Sequence, residues 1–475
     1  MNGWSTATQV QVAARLSRPD LGRWLGQVQQ VRSCSHPVRL SGSSETIDTT
    51  TGEVLTSYSS ASEPDGVTYV RCGNRRQAVC PSCSHEYKGD VWHVLMAGAA
   101  GGMKDVPETV AVHPLVFATF TAPTFGLVHA AKKVGRPGSQ RCLPRSGTRR
   151  QVCTHGRPRW CMAIHDHADS AAGQPLCAEC YDYTGHLVWQ WWAPELWRRF
   201  TITLRRRLAA SLGLSEAATR GRVRVQFAKV AEFQRSGVIH FHALVRLDGA
   251  PTDDDFYPAP TVEVTSTTLS ELIREAAALV SFEAPSIDRE GPVRRLGFGV
   301  QLDARPVTGV ADRDGQGGDL HPETVAAYIA KYATKAAADA APGQGGSNAH
   351  LRRLRVTLDR LSTAAAVARL GEEVQPYAGW GRWAEMLGFR GHLATKSRRY
   401  SVTLGRLRQA RRDYSRRRRL PRSLGPVVEV GDDRAAAVGE TTLVVGSWRF
   451  AGMGWLTSGD AALAAASAAR ARDDS

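Results

Sequence analysis

The sequence predicts an α+β fold: an antiparallel sheet with helices on its face, plus cysteine-rich segments and a basic helical C-terminal region. Three observations predict it. Val238-Ile239-His240-Phe241-His242-Ala243-Leu244-Val245 is an apolar, β-branched run of strand character, and residues 223–233 form a second such run just upstream. Strand, helix, hairpin, helix and strand patterns follow one another from residue 115 to 302, an order that suits an antiparallel sheet. At 475 residues the chain exceeds one ordinary core. We therefore expect a cysteine-rich N-terminal region at 1–105, a sheet domain at 106–340 carrying an insertion at 139–185, and a basic region at 350–475.

The N-terminal region carries Cys34, Cys72, Cys80 and Cys83. The two-residue gap in Cys80-Pro81-Ser82-Cys83 is that of a zinc knuckle, and four thiolates from this region suit one closed, structural zinc site. Arg71, Arg75 and Arg76 nearby make it a candidate DNA-touching module. Residues 90–99 read as an amphipathic helix leading to a strand at 115–122. A Gly/Pro/Ser/Arg loop at 134–150 opens the insertion, which holds Cys153, His155, Cys161, His165, Cys177 and Cys180. Cys153, Cys161, Cys177 and Cys180 are the expected second zinc set. His155 or His165 is able to replace either of the first two, and Cys142 is left over. A short polar segment has little core of its own and needs such a staple. Two structural Zn²⁺ ions are thus expected. Nine cysteines, an odd count, in a reducing compartment favour metal sites or free thiols over disulfides.

Residues 195–212 predict a helix with Trp197 and Leu204 inward and Arg198, Arg199, Arg205 and Arg206 outward. The hairpin spans 222–248. Its loop, Arg235-Ser236-Gly237, places glycine where a three-residue turn wants a left-handed residue. A loop at 249–260, a helix at 269–280, a strand at 298–302 and a loop at 306–320 lead to a last helix at 321–335. Pro322 lies near its start. A Gly-rich linker at 342–347 then opens the basic region.

The chemistry concentrates in the hairpin and the last helix. His240 and His242 are two apart on a strand and share a face. With Arg235 to Gly237 as the loop, Glu232 stands opposite His240. A slip of one residue would remove it from that face. Two imidazoles and a carboxylate suit a hard divalent cation that also holds phosphate oxygens. Seen alone, the histidines also read as core residues. On the helix, Tyr328 and Tyr332 are one turn apart and Lys331 lies near Tyr328. Alone, these read as an aromatic stripe on a sheet. Beside a metal they read as nucleophiles for phosphoryl transfer.

These motifs resemble those of rolling-circle replication initiators of the HUH endonuclease superfamily, close to the Rep proteins of actinobacterial plasmids. Phe117-Ala118-Thr119-Phe120-Thr121-Ala122-Pro123 resembles the family's first motif, His240-Phe241-His242 its second and Tyr328-Ile329-Ala330-Lys331-Tyr332 its two-tyrosine helix. Their order matches over residues 110–340. The cysteine-rich segments and residues 388–401 extend the likeness over nearly the whole chain. The resemblance implies an HUH nickase domain, with both histidines on a central strand and the tyrosine helix across the sheet. It also implies Tyr328 and Tyr332 as nucleophiles, Lys331 as their cationic helper, and Mg²⁺ or Mn²⁺ on His240, His242 and Glu232. The partners implied are plasmid origin DNA, single-stranded at the nick, a host helicase and a host DNA polymerase. No Gly-Lys pair occurs, hence no P-loop, so unwinding falls to that helicase.

A formal charge of +16 and a pI near 9.8 suit a polyanionic partner. Residues 406–422 hold nine arginines, among them Arg411, Arg412, Arg416, Arg417, Arg418 and Arg419, and form the candidate phosphate-binding stripe. No stretch of eighteen apolar residues and no secretory pattern occur, so a cytoplasmic protein without a membrane partner is expected. An HUH transposase or conjugative relaxase would use the same His pair and tyrosine, although relaxases usually carry the tyrosine before the histidines. A non-enzymatic zinc-dependent DNA-binding regulator is the rival of another class. The sequence leaves the oligomeric state open.

Overall fold

The computed structural model describes residues 4–130, 142, 151–166, 169–288, 291–307, 320–334, 348–419 and 442–473. The expected loop at 134–150 apart from Cys142, most of the loop at 306–320 and the linker at 342–347 lie outside the described residues. In chain order the elements are α1 (Thr6–Leu16), α2 (Leu21–Gln30), β1 (Val38–Asp48), β2 (Val54–Ser59), β3 (Thr68–Val70), α3 (Pro81–Ala100), β4 (Leu115–Phe120), α4 (Tyr183–Ser211), α5 (Glu216–Arg220), β5 (Arg224–Phe233) and β6 (Ile239–Asp248). They continue with α6 (Ser266–Leu279), β7 (Ser281–Ala284), β8 (Arg294–Gly297), β9 (Leu302–Pro306), α7 (Pro322–Tyr332), α8 (Ala349–Ala368), β10 (Ala394–Lys396), α9 (Leu404–Arg419), β11 (Thr442–Met453) and α10 (Ser458–Asp473).

The chain divides into two units, and not as the sequence predicts. One unit joins residues 1–89 to 405–475; the other is 90–404. The expected C-terminal region at 350–475 is therefore split. Its first part, α8 and β10, belongs to the larger unit. Its last part is not purely helical, because β11 pairs antiparallel with β1 from Val38↔Met453 to Asp48↔Thr442. Alternating Thr, Val and aromatic residues at 442–450 give β11 its strand character, which the surrounding charge obscures in sequence. Within this unit Trp24, Tyr69 and Trp455 pack together. Buried Arg15 bridges Asp65 and Asp460 at 2.6 Å each.

The larger unit is built on a five-stranded sheet of order β10-β5-β6-β4-β9, antiparallel at every pairing. β6, the histidine strand, is central. Phe233, Ile239 and Phe241 leave one face of the hairpin and are buried against α4, where Trp197 meets Phe241 at 5.8 Å between ring centroids. Arg198, Arg199, Arg205 and Arg206 face outward on α4, while Leu196, Phe200, Leu204 and Leu208 are buried. That helix starts twelve residues before the predicted position, at Tyr183, and Pro194 lies inside it. The tryptophan-rich turn before Pro194 is buried on several sides, so it lacks the amphipathic period that marks a helix. Buried Gln190 on this helix accepts from the Ile239 amide at 2.9 Å and donates to the Leu387 carbonyl at 3.0 Å. It pins the start of β6. The strand expected at 298–302 is displaced: β8 ends at Gly297 and β9 begins at Leu302. Gly299 breaks it, since a Cβ there would come within 2.2 Å of the Ala122 carbonyl oxygen. Among the described residues, no helix is long and apolar enough to cross a membrane.

Candidate active site and metal clusters

The hairpin turn fixes the register on which the site depends. Gly237 adopts φ 80°, its amide bonds to the Gln234 carbonyl, and Gln234 pairs with Val238. Pairing then runs Phe233↔Ile239, Glu232↔His240 and Val230↔His242. Glu232, His240 and His242 share the face opposite the α4 core. His242 is the centre of this face. Its Nε2 lies 2.8 Å from Glu232 Oε2, and its Nδ1 lies 3.1 Å from Thr119 Oγ1 on β4. Thr119 stands directly across from His242 in the ladder. With Nδ1–H donated to Thr119, Nε2 presents its lone pair toward the Glu232 carboxylate. Such a pair needs a positive charge, a proton or a metal, between them. Burial, and next the neighbouring His242, push the His240 imidazole down to about 4, so it is neutral and able to ligate at neutral pH. His240, His242 and Glu232 do not all draw within 4.8 Å of one another as the three cysteine-containing clusters do.

α7 brings the phenols to the same face. Val325, Ala326, Ile329 and Ala330 bury its inner side. The Tyr332 ring stacks on His242 at 5.3 Å between centroids, Tyr328 meets it edge-on at 5.5 Å, and the two phenols are 4.9 Å apart. Tyr328 is 43% exposed. Tyr332 is half-buried, and burial first, then its hydrogen bond with Tyr328 and the charge of Glu232, raise its hydroxyl above the ordinary phenol range. Lys331 is exposed in the last turn. Phe117 on β4 walls the site, stacked on His242 and edge-on to Tyr328 at 6.0 Å each. Sequence reasoning assigned no role to Phe117 or Thr119, although both sit in the first motif. Their alternate positions on the strand that pairs with β6 put them on the histidine face.

Among the described residues, three Cys/His clusters could hold a metal ion: Cys34/Cys72/Cys80/Cys83, His129/Cys142/Cys161/His165 and Cys153/His155/Cys177/Cys180. The first is the set expected. Its Cys34–Cys80, Cys72–Cys83 and Cys34–Cys83 sulfur separations are 3.6, 3.7 and 3.7 Å. A tetrahedral ion with bonds of about 2.3 Å needs edges of roughly 3.8 Å. The second expected set is corrected. Cys161 does not join Cys153, Cys177 and Cys180; His155 does, its Nδ1 3.3 Å from Cys180 Sγ. Cys161 turns to His165, 3.3 Å away, and Cys142 is not left over but buried in that same cluster. The spacing in sequence misleads because the chain doubles back between residues 153 and 165, as the Val152↔Pro158 bridge records.

Two arginines of the expected stripe are engaged within the protein. Arg411 pairs with Glu86 at 2.7 Å, while Arg412 is exposed and bonds Gln409. Arg416, Arg417, Arg418 and Arg419 continue α9, and their side chains lie outside the described residues.

Comparison with known proteins gives two likenesses. The family model described as "Replication initiator protein, pSAM2" matches residues 20–469. The chain is 40% identical over 456 residues to a replication initiator protein of Streptomyces ambofaciens, covering 94% of this chain and 90% of the relative. No solved structure matches.

Proposed function

Because this chain belongs to the pSAM2-type replication initiator family, we propose that it starts rolling-circle replication of a plasmid by nicking single-stranded DNA at the double-strand origin through a tyrosine transesterification. The observation that carries this reading is the packing of both phenols on the His242 ring, from elements more than eighty residues apart in sequence. The Tyr328 hydroxyl oxygen attacks a phosphodiester phosphorus. The bond to the 3′ oxygen breaks, that oxygen takes up a proton, and the phenolic proton leaves to solvent. The products are a free 3′-OH and a 5′-phosphotyrosine. One phosphodiester replaces another, so no nucleotide is hydrolysed. The 3′-OH primes a host polymerase, and a host helicase opens the duplex.

The solvent-open Tyr328 suits the first attack. Tyr332, whose proton is held more tightly, suits the second transfer that closes the circle. Lys331 offers a cation to the phosphate at the end of α7. The donor set fits a hard cation: His242 Nε2 and a Glu232 oxygen already converge, and Thr119 orients the ring. Mg²⁺ or Mn²⁺ held by His240, His242 and Glu232 would supply positive charge to the non-bridging oxygens of the scissile phosphate. Exposed arginines of α9 hold backbone phosphates.

The test is cleavage of single-stranded origin DNA with Mn²⁺ or Mg²⁺ by the wild type, Y328F, Y332F and the double variant. A covalent adduct mapped to Tyr328, and no cleavage by the double variant, are expected. Cleavage that survives in the double variant refutes the nucleophile assignment. A wild type that binds the origin but never cuts it points to a regulator. Nicking without autonomous replication of an origin plasmid points to transposition or transfer.

A further inference from the structure

The insertion between β4 and α4 carries a second, unexpected order. Its eight ligands fall along the chain as four pairs: His129 and Cys142, Cys153 and His155, Cys161 and His165, Cys177 and Cys180. The clusters take the first pair with the third, and the second pair with the fourth. We propose that the insertion holds two zinc sites whose ligands are threaded through one another along the chain, with His129, Cys142, Cys161 and His165 holding one ion and Cys153, His155, Cys177 and Cys180 the other.

Several observations carry the new site. His129 Nδ1 lies 3.0 Å from His165 Nε2 and 3.8 Å from Cys142 Sγ, and Cys161 Sγ lies 3.3 Å from His165 Nε2. Bonds of about 2.0–2.3 Å to nitrogen and sulfur in a tetrahedron give edges of roughly 3.3–3.8 Å, which the two sulfur–nitrogen separations match and the His129–His165 approach falls slightly short of. His165 is aimed by a carboxylate. Its Nδ1 donates to Asp169 Oδ2 at 2.5 Å, which leaves Nε2 as the bare donor facing the cluster. Carboxylate–histidine–metal relays orient zinc ligands in this way. The ends of the insertion are already closed. The His129 amide bonds to the Gln174 carbonyl, Leu176 to Leu127, and Asp182 to Phe125. Such a stem holds His129 near the Cys177/Cys180 pair through backbone hydrogen bonds.

Threading has a physical consequence. The segment 142–161, which the first ion closes, contains Cys153 and His155. The segment 155–177, which the second ion closes, contains Cys161 and His165. Each ion therefore shortens the loop that the other must close and lowers its entropic cost. The two ions bind with positive coupling. This holds whether or not the tyrosines cleave DNA.

The test uses the full chain, reduced, with zinc alone as the probe. Cysteine alkylation is mapped by mass spectrometry with and without the ion. Cys142 and Cys161 should become protected together with Cys153, Cys177 and Cys180, by at least tenfold in rate. In the variant His129→Asn/Cys142→Ser, a chelator should strip zinc from Cys153, Cys177 and Cys180 at least tenfold faster than in the wild type. A Cys34→Ser/Cys72→Ser variant should leave that rate unchanged. If Cys142 in the wild type alkylates equally fast with and without zinc, the new site is refuted without any variant having to fold. If the His129→Asn/Cys142→Ser variant folds and releases its remaining zinc at the wild-type rate, the two sites are independent and the threading argument fails.

Discussion

At the residue scale, Thr119 and Lys229 separate two kinds of buried polar group. Thr119 makes one hydrogen bond to the ring that carries the site. Thr119→Val keeps the shape and removes the hydroxyl, so His242 loses its fixed tautomer. Losing such an outer partner costs about 10–100-fold in metal affinity or activity. Nicking by T119V should fall by that factor, with much of it recovered at high Mn²⁺; undiminished nicking at limiting Mn²⁺ would count against the role given to Thr119. Lys229 lies on the other face of β5, fully enclosed over Phe241 and Trp197. Burial brings its ammonium down from 10.5 to about 7. The unfolded chain therefore binds more protons than the folded chain between pH 7 and 10.5, and stability rises with pH across that window. Lys229→Met removes the penalty. The urea midpoint of K229M should exceed the wild type at pH 7, and the gap should narrow toward pH 10. A gap that does not change with pH would show that Lys229 stays charged in the fold.

At the scale of elements, the β5–β6 hairpin is the part most dependent on one backbone position. Gly237 is left-handed, and a Cβ there would lie 2.7 Å from Leu387 and 3.0 Å from Leu351. Gly237→Ala adds both strain and overlap, for a cost of about 1–3 kcal/mol. Because the turn sets the pairing of Glu232 with His240, nicking should fall further than the loss of folded protein accounts for. Circular dichroism at the assay temperature, beside the cleavage rate, separates the two. Much of this hairpin is legible in sequence: the apolar run gives the strand, the glycine gives the turn, and alternation gives the face. The pairing of β4 with β6 is not legible, because it joins residues more than a hundred positions apart and no local period encodes it. Nothing local in the sequence marks Thr119 and Phe117 as part of the site for that reason. The ligand sets of the insertion are hidden in sequence for a related one. Spacing along the chain reveals which cysteines are close in sequence, and a threaded arrangement joins those that are not. The insertion also meets the hairpin turn, where the Arg235 guanidinium donates to the Asp169 carbonyl at 3.1 Å and Gly173 makes room for the Arg235 backbone. Asp169 thus touches both the His165 relay and the loop that begins three residues after Glu232.

At the scale of the whole molecule, the chain closes its smaller unit with its own two ends. The sequence shows the cysteines of one end and the charge of the other, but not that β1 and β11 are partners across four hundred residues. A single carboxylate makes that closure testable. Asp460 is fully buried and holds Arg15 at 2.6 Å; it also accepts from the Thr457 amide while its own amide bonds Thr457 Oγ1, a reciprocal cap on α10. Arg15 is buried too, with Asp65 as its second partner. Asp460→Ala leaves the guanidinium half-compensated in a place that water does not reach, and breaking a buried pair from one side costs about 3–5 kcal/mol. Trp455, five residues earlier, donates its indole N–H to the Cys34 carbonyl at 3.0 Å and packs on Trp24. Loosening α10 therefore also loosens the backbone of the first cysteine cluster. D460A should lower the unfolding temperature of the smaller unit and speed loss of zinc bound at Cys34, Cys72, Cys80 and Cys83, while the cleavage proposed for Tyr328, in the other unit, persists. Limited proteolysis with mapped cut sites reads the first effect and cysteine alkylation the second. A variant that keeps both at wild-type levels would mean that Asp65 alone satisfies Arg15, and that the terminal strand and helix hold without the bridge.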